Sequence, residues 1–389
     1  MKILIVSSYL PFPLRSGGEI RLFNLIKHIS ENHEITLICE KRDHQTKEDV
    51  AEVEKICKKV ITVPRKKQWS AKNILKAGFS FDPFLIVGHT SDELTLAIKD
   101  ELVRENYDLI HVETFYVYQN LPKVSIPVVL VEHNVEYLVY ERFAKLANPL
   151  VKPLLYIDIL KLKAKEKASW ERVNKLVAVS GVERKIMKRT DVAIVPNGVD
   201  VASFEFRSFQ QIPDEKRILY IGDFKWLQNR DSAEFILTKI WPRISAKTNA
   251  KLWIVGRHIP DNIKQLAFGK NIILDENNKE ETPQIFRKAY ILLAPYRVAG
   301  GTSYKILEAM ASGVGVVTSN LGIEGLEAKN GVHVLSSEKA LDLSNQVLDL
   351  LKDHSLYKRL TLNARKFVEN YYDWKIISKK LEEVYMSAL

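Results

Sequence analysis

The stretch that decides the fold is Pro295-Tyr-Arg-Val-Ala-Gly300-Gly-Thr-Ser-Tyr-Lys305-Ile-Leu-Glu-Ala-Met310-Ala-Ser-Gly313. A strand-like run, 290–294, precedes the glycine loop, and a β-branched run, 314–318, follows the helical pattern. Strand, glycine loop, helix and strand in succession predict a βαβ unit. In such a unit the N-terminus of the helix presents unpaired backbone N–H groups at the end of the sheet. The stretch therefore predicts an anion-binding site.

Glu308 is the acidic residue of this predicted helix, about one turn from its start. A carboxylate at that position can accept hydrogen bonds from sugar hydroxyls, and Gly301 lets the backbone approach a ligand closely. A site for a phosphate next to a site for a sugar indicates that the ligand is a nucleotide or a sugar nucleotide. Helical spacing places Tyr304 and Lys305 on the side of Glu308. The opposite side should face the core and carries Ile306, Leu307, Met310 and Ala311. The alternative reading is an ordinary amphipathic surface helix.

Strand-like apolar runs alternate with helical patterns, such as 19–30 and 95–105, along the whole chain. This alternation predicts the α/β class, with parallel sheets covered by helices on both faces. The predicted strands are 2–7, 34–39, 59–63, 109–112, 128–131, 176–179, 193–195, 217–221, 251–255, 271–274, 291–294 and 314–318.

A chain of 389 residues exceeds one typical core, so we expect two domains. The turn-forming sequence Pro196-Asn-Gly198 and the polar stretch 202–216 mark the boundary. We predict a first domain over 1–200 and a second over 201–371, alike in pattern and facing each other across a cleft. Ser180 to Glu183 predicts a capping box, and Asp231 to Glu234 predicts another helix start with Asp231 as the cap.

Composition is that of an ordinary soluble globular protein, with 46% hydrophobic and 27% charged residues. No apolar run has the length of a membrane span, and the run 3–6 is too short for a signal peptide. We therefore expect a cytoplasmic protein. Cys39 and Cys57 lack metal-ligand spacing, and the chain has no Asp-x-Asp sequence and no Cys/His cluster. We expect neither a metal nor another cofactor.

The net charge of +10 indicates an anionic partner, which could be a membrane surface, a nucleic acid or a phosphorylated substrate. Basic residues cluster at 58–67 and 152–175, although a solvated lysine-rich surface explains them equally well. The stretch 146–167 mixes apolar residues with lysines. It predicts either an amphipathic helix on the inner face of the plasma membrane or a helix packed on its own domain.

Further site candidates follow other predicted strands. Ser16-Gly17-Gly18-Glu19 follows the first strand and is a second candidate phosphate or sugar loop, although glycine turns after strands are common. Glu132-His133-Asn134 follows the strand 128–131. His133 is a candidate for ligand contact or acid–base chemistry, and the alternative is a hydrogen-bonded core or surface histidine. The candidate diphosphate cations, each weighed against a solvated surface charge, are Lys225, Arg230, Arg257 and Arg297.

Taken together, these motifs resemble the family-4-type retaining glycosyltransferases of the GT-B architecture (glycosyl transferases group 1), which have two Rossmann-like domains. The resemblance extends over nearly the whole chain. In the family the C-terminal helix, here within 372–389, crosses back to the first domain. The residues that carry the resemblance are Met1 to Val6 with Gly17-Gly18, His133, Leu176 to Ser180, Val195 to Asp200, Leu307 to Ala311 with Gly313, and Tyr371 to Trp374.

The resemblance implies a metal-independent hexosyltransferase that uses a nucleotide-diphosphate sugar as donor. Glu308 would bind the ribose hydroxyls, Gly17 and Gly18 would meet the diphosphate or sugar, and His133 would contact the donor sugar or the developing charge. Retention of the anomeric configuration is implied, with catalysis by positioning and by stabilisation of the leaving diphosphate. The backbone N–H groups implied to hold the diphosphate belong to Gly301, Thr302, Ser303 and Tyr304.

The sequence departs from the family pattern at two places. Gly300 stands where the family often has the first of two glutamates, and the variant Gly-Gly-Thr-x-x-Lys-x-Leu-Glu is similar to a branch of bacterial sugar transferases in which Lys305 contributes a charge. Asp223 and Gln228 stand where the family often has Arg and Lys, so Lys225 or Arg230 would replace those cations.

These observations predict transfer of a sugar to a glycan or a lipid-linked acceptor in the assembly of surface polysaccharide or another glycoconjugate. Two alternatives stay open. One is a sugar-nucleotide epimerase or hydrolase on the same fold, which would turn over donor without an acceptor. The other is a degenerate, non-catalytic binding module, although nucleic acid is not the partner we expect.

Overall fold

The computed structural model describes residues 1–207, 214–269, 271–276, 278–298 and 303–389, except for the side chain of Leu146. Gly300, Gly301 and Thr302, three of the predicted donor-binding residues, lie outside the described residues. The chain divides into two compact units. The first comprises Met1–Pro196 and Ile377–Leu389, and the second comprises Asn197–Ile376. The predicted domain limits at 200 and 371 lie within five residues of these bounds.

The first unit is built on a seven-stranded parallel sheet with the order β3-β2-β1-β4-β5-β6-β7. Its strands are β1 (Lys2–Ser7), β2 (Glu34–Lys41), β3 (Lys59–Pro64), β4 (Leu109–Glu113), β5 (Val128–Glu132), β6 (Lys175–Ala178) and β7 (Ala193–Ile194). Its helices are α1 (Gly17–Ile29), α2 (Lys47–Glu54), α3 (Ala71–Phe79), α4 (Phe84–His89), α5 (Asp92–Arg104), α6 (Phe115–Tyr118), α7 (Glu136–Leu146), α8 (Lys152–Arg172) and α9 (Gly181–Met187).

The second unit repeats this plan with a six-stranded parallel sheet in the order β10-β9-β8-β11-β12-β13. Its strands are β8 (Arg217–Asp223), β9 (Lys251–Arg257), β10 (Ile272–Asp275), β11 (Ile291–Ala294), β12 (Gly315–Thr318) and β13 (Leu335–Ser336). Its helical segments are α10 (Leu227–Phe235), a π-helical turn (Ile236–Ile240), α11 (Trp241–Ser245), α12 (Asp261–Leu266), α13 (Thr282–Lys288), α14 (Tyr304–Ala311), a 3₁₀ turn (Asn320–Ile323), α15 (Ala340–Lys352) and α16 (His354–Tyr371). The last helix, α17 (Trp374–Met386), begins in this unit and continues into the first.

Both sheets have the doubly wound strand order, in which successive strands are added first on one side of the first strand and then on its other side. The strand order therefore reverses between β1 and β4 in the first unit and between β8 and β11 in the second. In open α/β sheets, ligands bind beyond the carboxyl ends of the strands at this reversal. The two-domain α/β prediction is therefore confirmed, and each unit has one edge where a site is expected.

All twelve predicted strands are present, and β13 is an additional two-residue strand. Central strands are almost wholly buried, such as Leu109–Glu113 and Val128–Glu132, because helices cover both faces of a parallel sheet. Their continuous apolar runs are the signal that made them recognisable in the sequence.

Two predicted helix starts need correction. Asp231 does not cap a helix, because α10 already begins at Leu227 and Trp226 is its N-cap residue. Ser180 is the N-cap residue of α9, but the capping box is not formed. Its hydroxyl accepts a hydrogen bond from the N–H of Val182 and donates one to the Glu183 carboxylate.

The capping box that does form at a glycine loop is the one at Ser16. The Ser16 hydroxyl accepts from the N–H of Glu19, and the Glu19 carboxylate accepts from the N–H groups of Arg15 and Ser16. Gly17 and Gly18 are thus the first two residues of α1. A Cβ at Gly18 would lie 3.0 Å from the hydroxyl of Tyr9, so this helix start is packed closely against the chain that follows β1.

The segment predicted as one helix over 146–167 is divided. Helix α7 ends at Leu146, and α8 begins at Lys152 and extends to Arg172. None of the described helices combines the length and the apolar character that a membrane crossing requires.

Candidate active site

Glu308 lies on α14, whose buried side faces the core as the spacing predicted. Ile306, Leu307, Met310 and Ala311 are fully buried, whereas Tyr304, Lys305 and Glu308 are half-buried. Within the described part of the chain, the Glu308 carboxylate has no hydrogen-bond partner. Burial raises the pKa of Glu308 to about 7, and nearby Lys305 opposes the rise. A half-buried carboxylate that has no partner among the described residues can accept hydrogen bonds from a ligand.

Lys305 turns toward the sheet. Its ammonium donates to the carbonyl of Ile221 and to Oδ1 of Asn229, the latter at 3.1 Å. It also lies 5.0 Å from the ring centre of Tyr220 and 5.5 Å from that of Tyr296. These contacts join α14 to the carboxyl end of β8. Lys305 therefore holds the Glu308 helix against the strand end where a ligand is expected.

The N-terminus of α14 is at the same edge of the sheet. Ser303 is its N-cap residue, and the Ser303 hydroxyl is 2.9 Å from the hydroxyl of Tyr296, two residues beyond the end of β11. The Ser303 side chain makes no capping hydrogen bond to the helix backbone. The N-terminus of a helix at this edge of a sheet is a position where anions bind in other α/β proteins.

A cationic cluster surrounds Asp223, the last residue of β8. Nδ1 of His258 is 2.9 Å from the Asp223 carboxylate, Nζ of Lys225 is 3.6 Å away, and a guanidinium nitrogen of Arg257 is 3.8 Å away. Burial alone would raise the pKa of Asp223, but the hydrogen bond from His258 and the charge of Lys225 outweigh it and lower that pKa. Three cationic or basic side chains thus face one partly buried carboxylate.

Backbone packing brings this cluster together. A Cβ on Gly256 would lie only 1.9 Å from the carbonyl oxygen of Gly222, so the ends of β8 and β9 can approach this closely only with glycine at 256. His258, two residues later, has a left-handed backbone with φ of 59°. For a non-glycine residue this backbone conformation costs conformational free energy, and such strained residues are common at functional sites.

Of the other candidate cations, Arg297 is already engaged. Its guanidinium makes two hydrogen bonds to Asp231, at 2.6 and 3.1 Å, and lies 4.5 Å from the ring centre of Phe235. Arg230 is exposed on α10. Lys225 and Arg257 are the two candidates that the structure brings to one point.

In the first unit, His133 follows β5 and bonds through Nε2 to Oε1 of Glu113 at the end of β4. The other oxygen of Glu113 lies 2.7 Å from Nε2 of His111, and Nδ1 of His111 lies 2.5 Å from the hydroxyl of Tyr385 on α17. An ionised carboxylate can only accept hydrogen bonds, so both histidines donate to Glu113. Hydrogen bonds thus link four side chains in the order Tyr385, His111, Glu113 and His133.

Glu113 is fully buried and remains charged. Burial would raise its pKa, but the charge of His133 and the hydrogen bonds from His111 and His133 hold that pKa well below its usual range. Arg21 adds a guanidinium 3.7 Å away, while its other nitrogens donate to the carbonyls of Pro196 and Val195 at 2.9 Å. Only the His133 end of this network reaches solvent, because its side chain is 20% exposed and that of Glu113 is 0% exposed.

Glu132 does not share the environment of His133. The Glu132 carboxylate is buried and accepts from the indole N–H of Trp170 at 2.9 Å. Burial and the nearby Glu166 carboxylate raise the pKa of Glu132 well above its usual range. Glu132 therefore belongs to the packing of α8 on the sheet, whereas His133 carries the contact to Glu113.

Solved structures with the same fold extend over the whole chain. Sucrose-phosphate synthase from Thermosynechococcus elongatus aligns with 100% of this chain and 99% of its own, with a TM-score of 0.71 and 16% identity. The HepE protein of Anabaena in complex with UDP-glucose aligns with 100% of both chains, with a TM-score of 0.67 and 14% identity. At such identity the likeness shows the fold, which is GT-B.

Two family models match the chain in succession. Residues 15–203 match Glycosyltransferase Family 4, and residues 215–353 match Glycosyl transferases group 1. The chain is a glycosyltransferase of the GT-B fold. The two matched segments lie almost wholly in the first and in the second unit, respectively.

The curated relatives include one named glycosyltransferase. An uncharacterized 44.6 kDa protein in the cps region of Klebsiella pneumoniae is 22% identical over 96% of this transferase and 97% of its own length. A phosphatidyl-myo-inositol mannosyltransferase of Mycolicibacterium smegmatis is 26% identical over 55% of this transferase and 58% of its own length.

Sequence reasoning missed Glu113, His111, Asp223 and His258 as parts of the transferase's candidate site. A signal did exist for Glu113, because His111 and Glu113 form a polar pair at the end of the apolar run 109–112. Polar residues at the end of a buried strand are as informative there as at His133.

Proposed function

We propose that this transferase moves a hexosyl residue from a nucleotide-diphosphate sugar to a hydroxyl of a glycan or lipid-linked acceptor, with retention of anomeric configuration. The product serves the assembly of surface polysaccharide or another glycoconjugate. The observation that carries the proposal is the half-buried Glu308 carboxylate, which has no hydrogen-bond partner in the described part of the chain. It lies on a helix that begins directly after the glycine loop.

Glu308 is proposed to bind the two hydroxyls of the donor ribose. The ribose diol offers two O–H donors, and a carboxylate offers two acceptor oxygens, so each supplies what the other lacks. The HepE structure contains UDP-glucose, which makes a uridine diphosphate sugar the first donor to test.

The diphosphate is proposed to lie at the N-terminus of α14, near the backbone N–H groups of Ser303 and Tyr304. Gly300, Gly301 and Thr302 belong to the same proposed loop. Lys225 and Arg257 are proposed to neutralise the diphosphate after leaving their loose pairing with Asp223, since contacts of 3.6 and 3.8 Å on exposed side chains are weak. In the first unit, Gly17 and Gly18 at the start of α1 are proposed to contact the diphosphate or sugar.

The transfer step breaks the bond between the anomeric carbon and the diphosphate oxygen through an oxocarbenium-like state. The acceptor hydroxyl oxygen then bonds to that carbon from the same face, and its proton passes to the departing diphosphate oxygen. We propose that His133, held in place by Glu113, contacts the donor sugar at the reacting centre and positions it. Catalysis then depends on positioning and on stabilisation of the leaving group.

The acceptor class is supported by the relatives. The Klebsiella pneumoniae protein belongs to a cps region, and the Mycolicibacterium smegmatis enzyme is a mannosyltransferase for phosphatidyl-myo-inositol. Both are consistent with a glycan or a lipid-linked acceptor for this transferase. We propose that it works in the cytoplasm, without a metal ion.

A panel of nucleotide sugars tests the proposal. The true donor should raise the melting temperature of the protein and be hydrolysed slowly when no acceptor is present. With an acceptor, proton NMR of the product should show the same anomeric configuration as the donor. Inversion would refute the retaining mechanism. Release of free sugar at the same rate with and without every acceptor would indicate a hydrolase.

A further inference from the structure

The first unit carries an exposed surface formed by two segments, residues 69–81 and 150–160, which we call the apolar-basic face. Phe79, the last residue of α3, and Phe81, two residues beyond it, are each 91% exposed. Leu154 and Leu160 on α8 are 70% and 66% exposed. Large apolar side chains in such number are unusual on a soluble surface and mark an interaction site. The other exposed apolar residues of this face are Trp69, Ile74, Leu75, Leu150, Val151, Tyr156 and Ile157.

The exposed residues of α8 form a stripe along one side of the helix. Leu154, Ile157 and Leu160 follow at intervals of three, which keeps them on neighbouring positions of one face. The buried residues Ile159 and Leu162 lie on the other side and pack into the core of the first unit. The stripe is therefore additional to the apolar side that α8 needs for its own packing.

Lys161 joins this stripe to the second segment. Its ammonium donates to the carbonyls of Ala77 and Ser80, both at 2.8 Å, and these two residues flank Phe79. Lys165 pairs with Asp82 at 2.7 Å, and the N–H of Phe84 donates to Asp158 at 2.8 Å. These contacts hold the segment with Phe79 and Phe81 beside the stripe, so the two segments form one surface.

The face has a positive net charge, because its two segments contain Lys72, Lys76 and Lys152 against Asp158, and further basic residues flank both segments. The stretch 65–81 contains five basic residues and no acidic residue, and 142–165 contains six basic residues and one acidic residue. That acidic residue is Asp158, which already accepts from the backbone of Phe84. Protein–protein interfaces are depleted in lysine, whereas aromatic and aliphatic side chains interleaved with lysine suit the boundary between anionic headgroups and acyl chains.

We propose that the apolar-basic face docks the transferase on the surface of an anionic lipid bilayer. Phe79, Phe81 and the α8 stripe enter the headgroup boundary, and the surrounding lysines contact the lipid phosphates. The docking requires no donor and no transfer, so it can be tested separately from the proposed function. It would bring the first unit to a lipid-linked acceptor.

Vesicle co-sedimentation of the full-length protein tests this directly. The probes are vesicles of phosphatidylcholine with about one third phosphatidylglycerol, and vesicles of phosphatidylcholine alone. The wild type should bind the anionic vesicles, bind the neutral ones weakly, and lose binding as salt increases. The double variant Phe79→Ser/Phe81→Ser should bind the anionic vesicles at least about tenfold more weakly. Phe268→Ser, which removes a phenylalanine that is 86% exposed in the second unit, is the matched control and should bind like the wild type.

A melting curve for each variant shows that the fold is intact, which is expected because both phenylalanines are almost fully exposed. Slow donor hydrolysis should be equal in the wild type and in the double variant. Equal vesicle binding by the double variant and the wild type would overturn the proposal. Self-association that the double variant loses, without vesicle binding by the wild type, would also overturn it and assign the face to a second copy.

Discussion

His133 and Glu113 are joined by a hydrogen bond between Nε2 of the imidazole and Oε1 of the carboxylate, across 20 residues of sequence. The bond exists because β4 and β5 are parallel neighbours, so their carboxyl ends meet at one edge of the sheet. Glu113 is buried and charged, whereas His133, which bonds to it, is partly exposed to solvent. This pair gives His133 a fixed orientation, which a surface histidine lacks.

Removal of the Glu113 charge should therefore slow the transfer step. Glu113→Gln keeps the size of the side chain but replaces one acceptor oxygen with a donor NH₂ group, which opposes one of the two imidazole donors. We expect kcat to fall by about 10²-fold with little change in the KM for donor. Steady-state kinetics with the identified donor provide the measurement. Glu101→Gln, which alters another buried glutamate of the first unit, should leave kcat unchanged. A rise in KM at constant kcat would show that Glu113 has no part in the transfer step.

Stability should depend on pH through Glu308. Its pKa is about 7 in the folded protein and about 4.5 in the unfolded chain, so the folded state holds the extra proton between these values. Stability then falls as pH rises from about 4.5 to 7, and the loss is complete above 7. Glu308→Gln cannot ionise, so at pH 8 it should be more stable than the wild type by about 1–3 kcal/mol. Denaturant unfolding at pH 5 and pH 8 checks this. An equal difference between the two proteins at both pH values would mean that Glu308 ionises normally.

Diphosphate binding should depend on the two cations beside Asp223. We expect Lys225→Ala and Arg257→Ala each to weaken UDP binding by about tenfold, because each removes a charge-assisted contact to phosphate. Titration calorimetry measures the affinity, and the loss should diminish as salt increases. Lys247→Ala removes an exposed lysine elsewhere in the second unit and serves as control. If all three variants bind UDP alike, the diphosphate contacts must be sought at other residues.

Metal removal should leave transfer intact. The proposed site neutralises the leaving diphosphate with Lys225, Arg257 and the N-terminus of α14, so no divalent ion is needed for that purpose. Protein treated with EDTA should retain its full rate in a buffer freed of divalent ions. Loss of the rate, followed by recovery on addition of Mg²⁺ or Mn²⁺, would refute metal independence.

The fold could be predicted because its strands are short, continuous apolar runs, and all twelve runs found in the sequence form strands. The exceptions have local causes. Strand β13 consists of Leu335 and Ser336, which do not form a continuous apolar run. The N-cap residue of α10 is Trp226, which makes no capping hydrogen bond, so the sequence favours Asp231 as the cap instead.

The site was predictable only where it depends on local sequence. Glu308 and His133 stand directly after recognisable elements, and both could be named. The partners could not be named, because they come from distant parts of the chain. Tyr385 is 274 residues from His111, and Arg21 is 174 residues from Val195. Sheet order decides such neighbours, and a single sequence does not reveal it residue by residue.

The central claim is that Glu308 of the second unit binds the donor nucleotide. The most direct measurement compares the transfer rate and the UDP affinity of Glu308→Ala with those of the wild type, with the melting temperature as evidence of an intact fold. In Glu308→Ala, transfer should be abolished and UDP binding should weaken at least about 100-fold, while the melting temperature is maintained or raised. A folded Glu308→Ala protein with wild-type transfer and wild-type UDP affinity would contradict this claim.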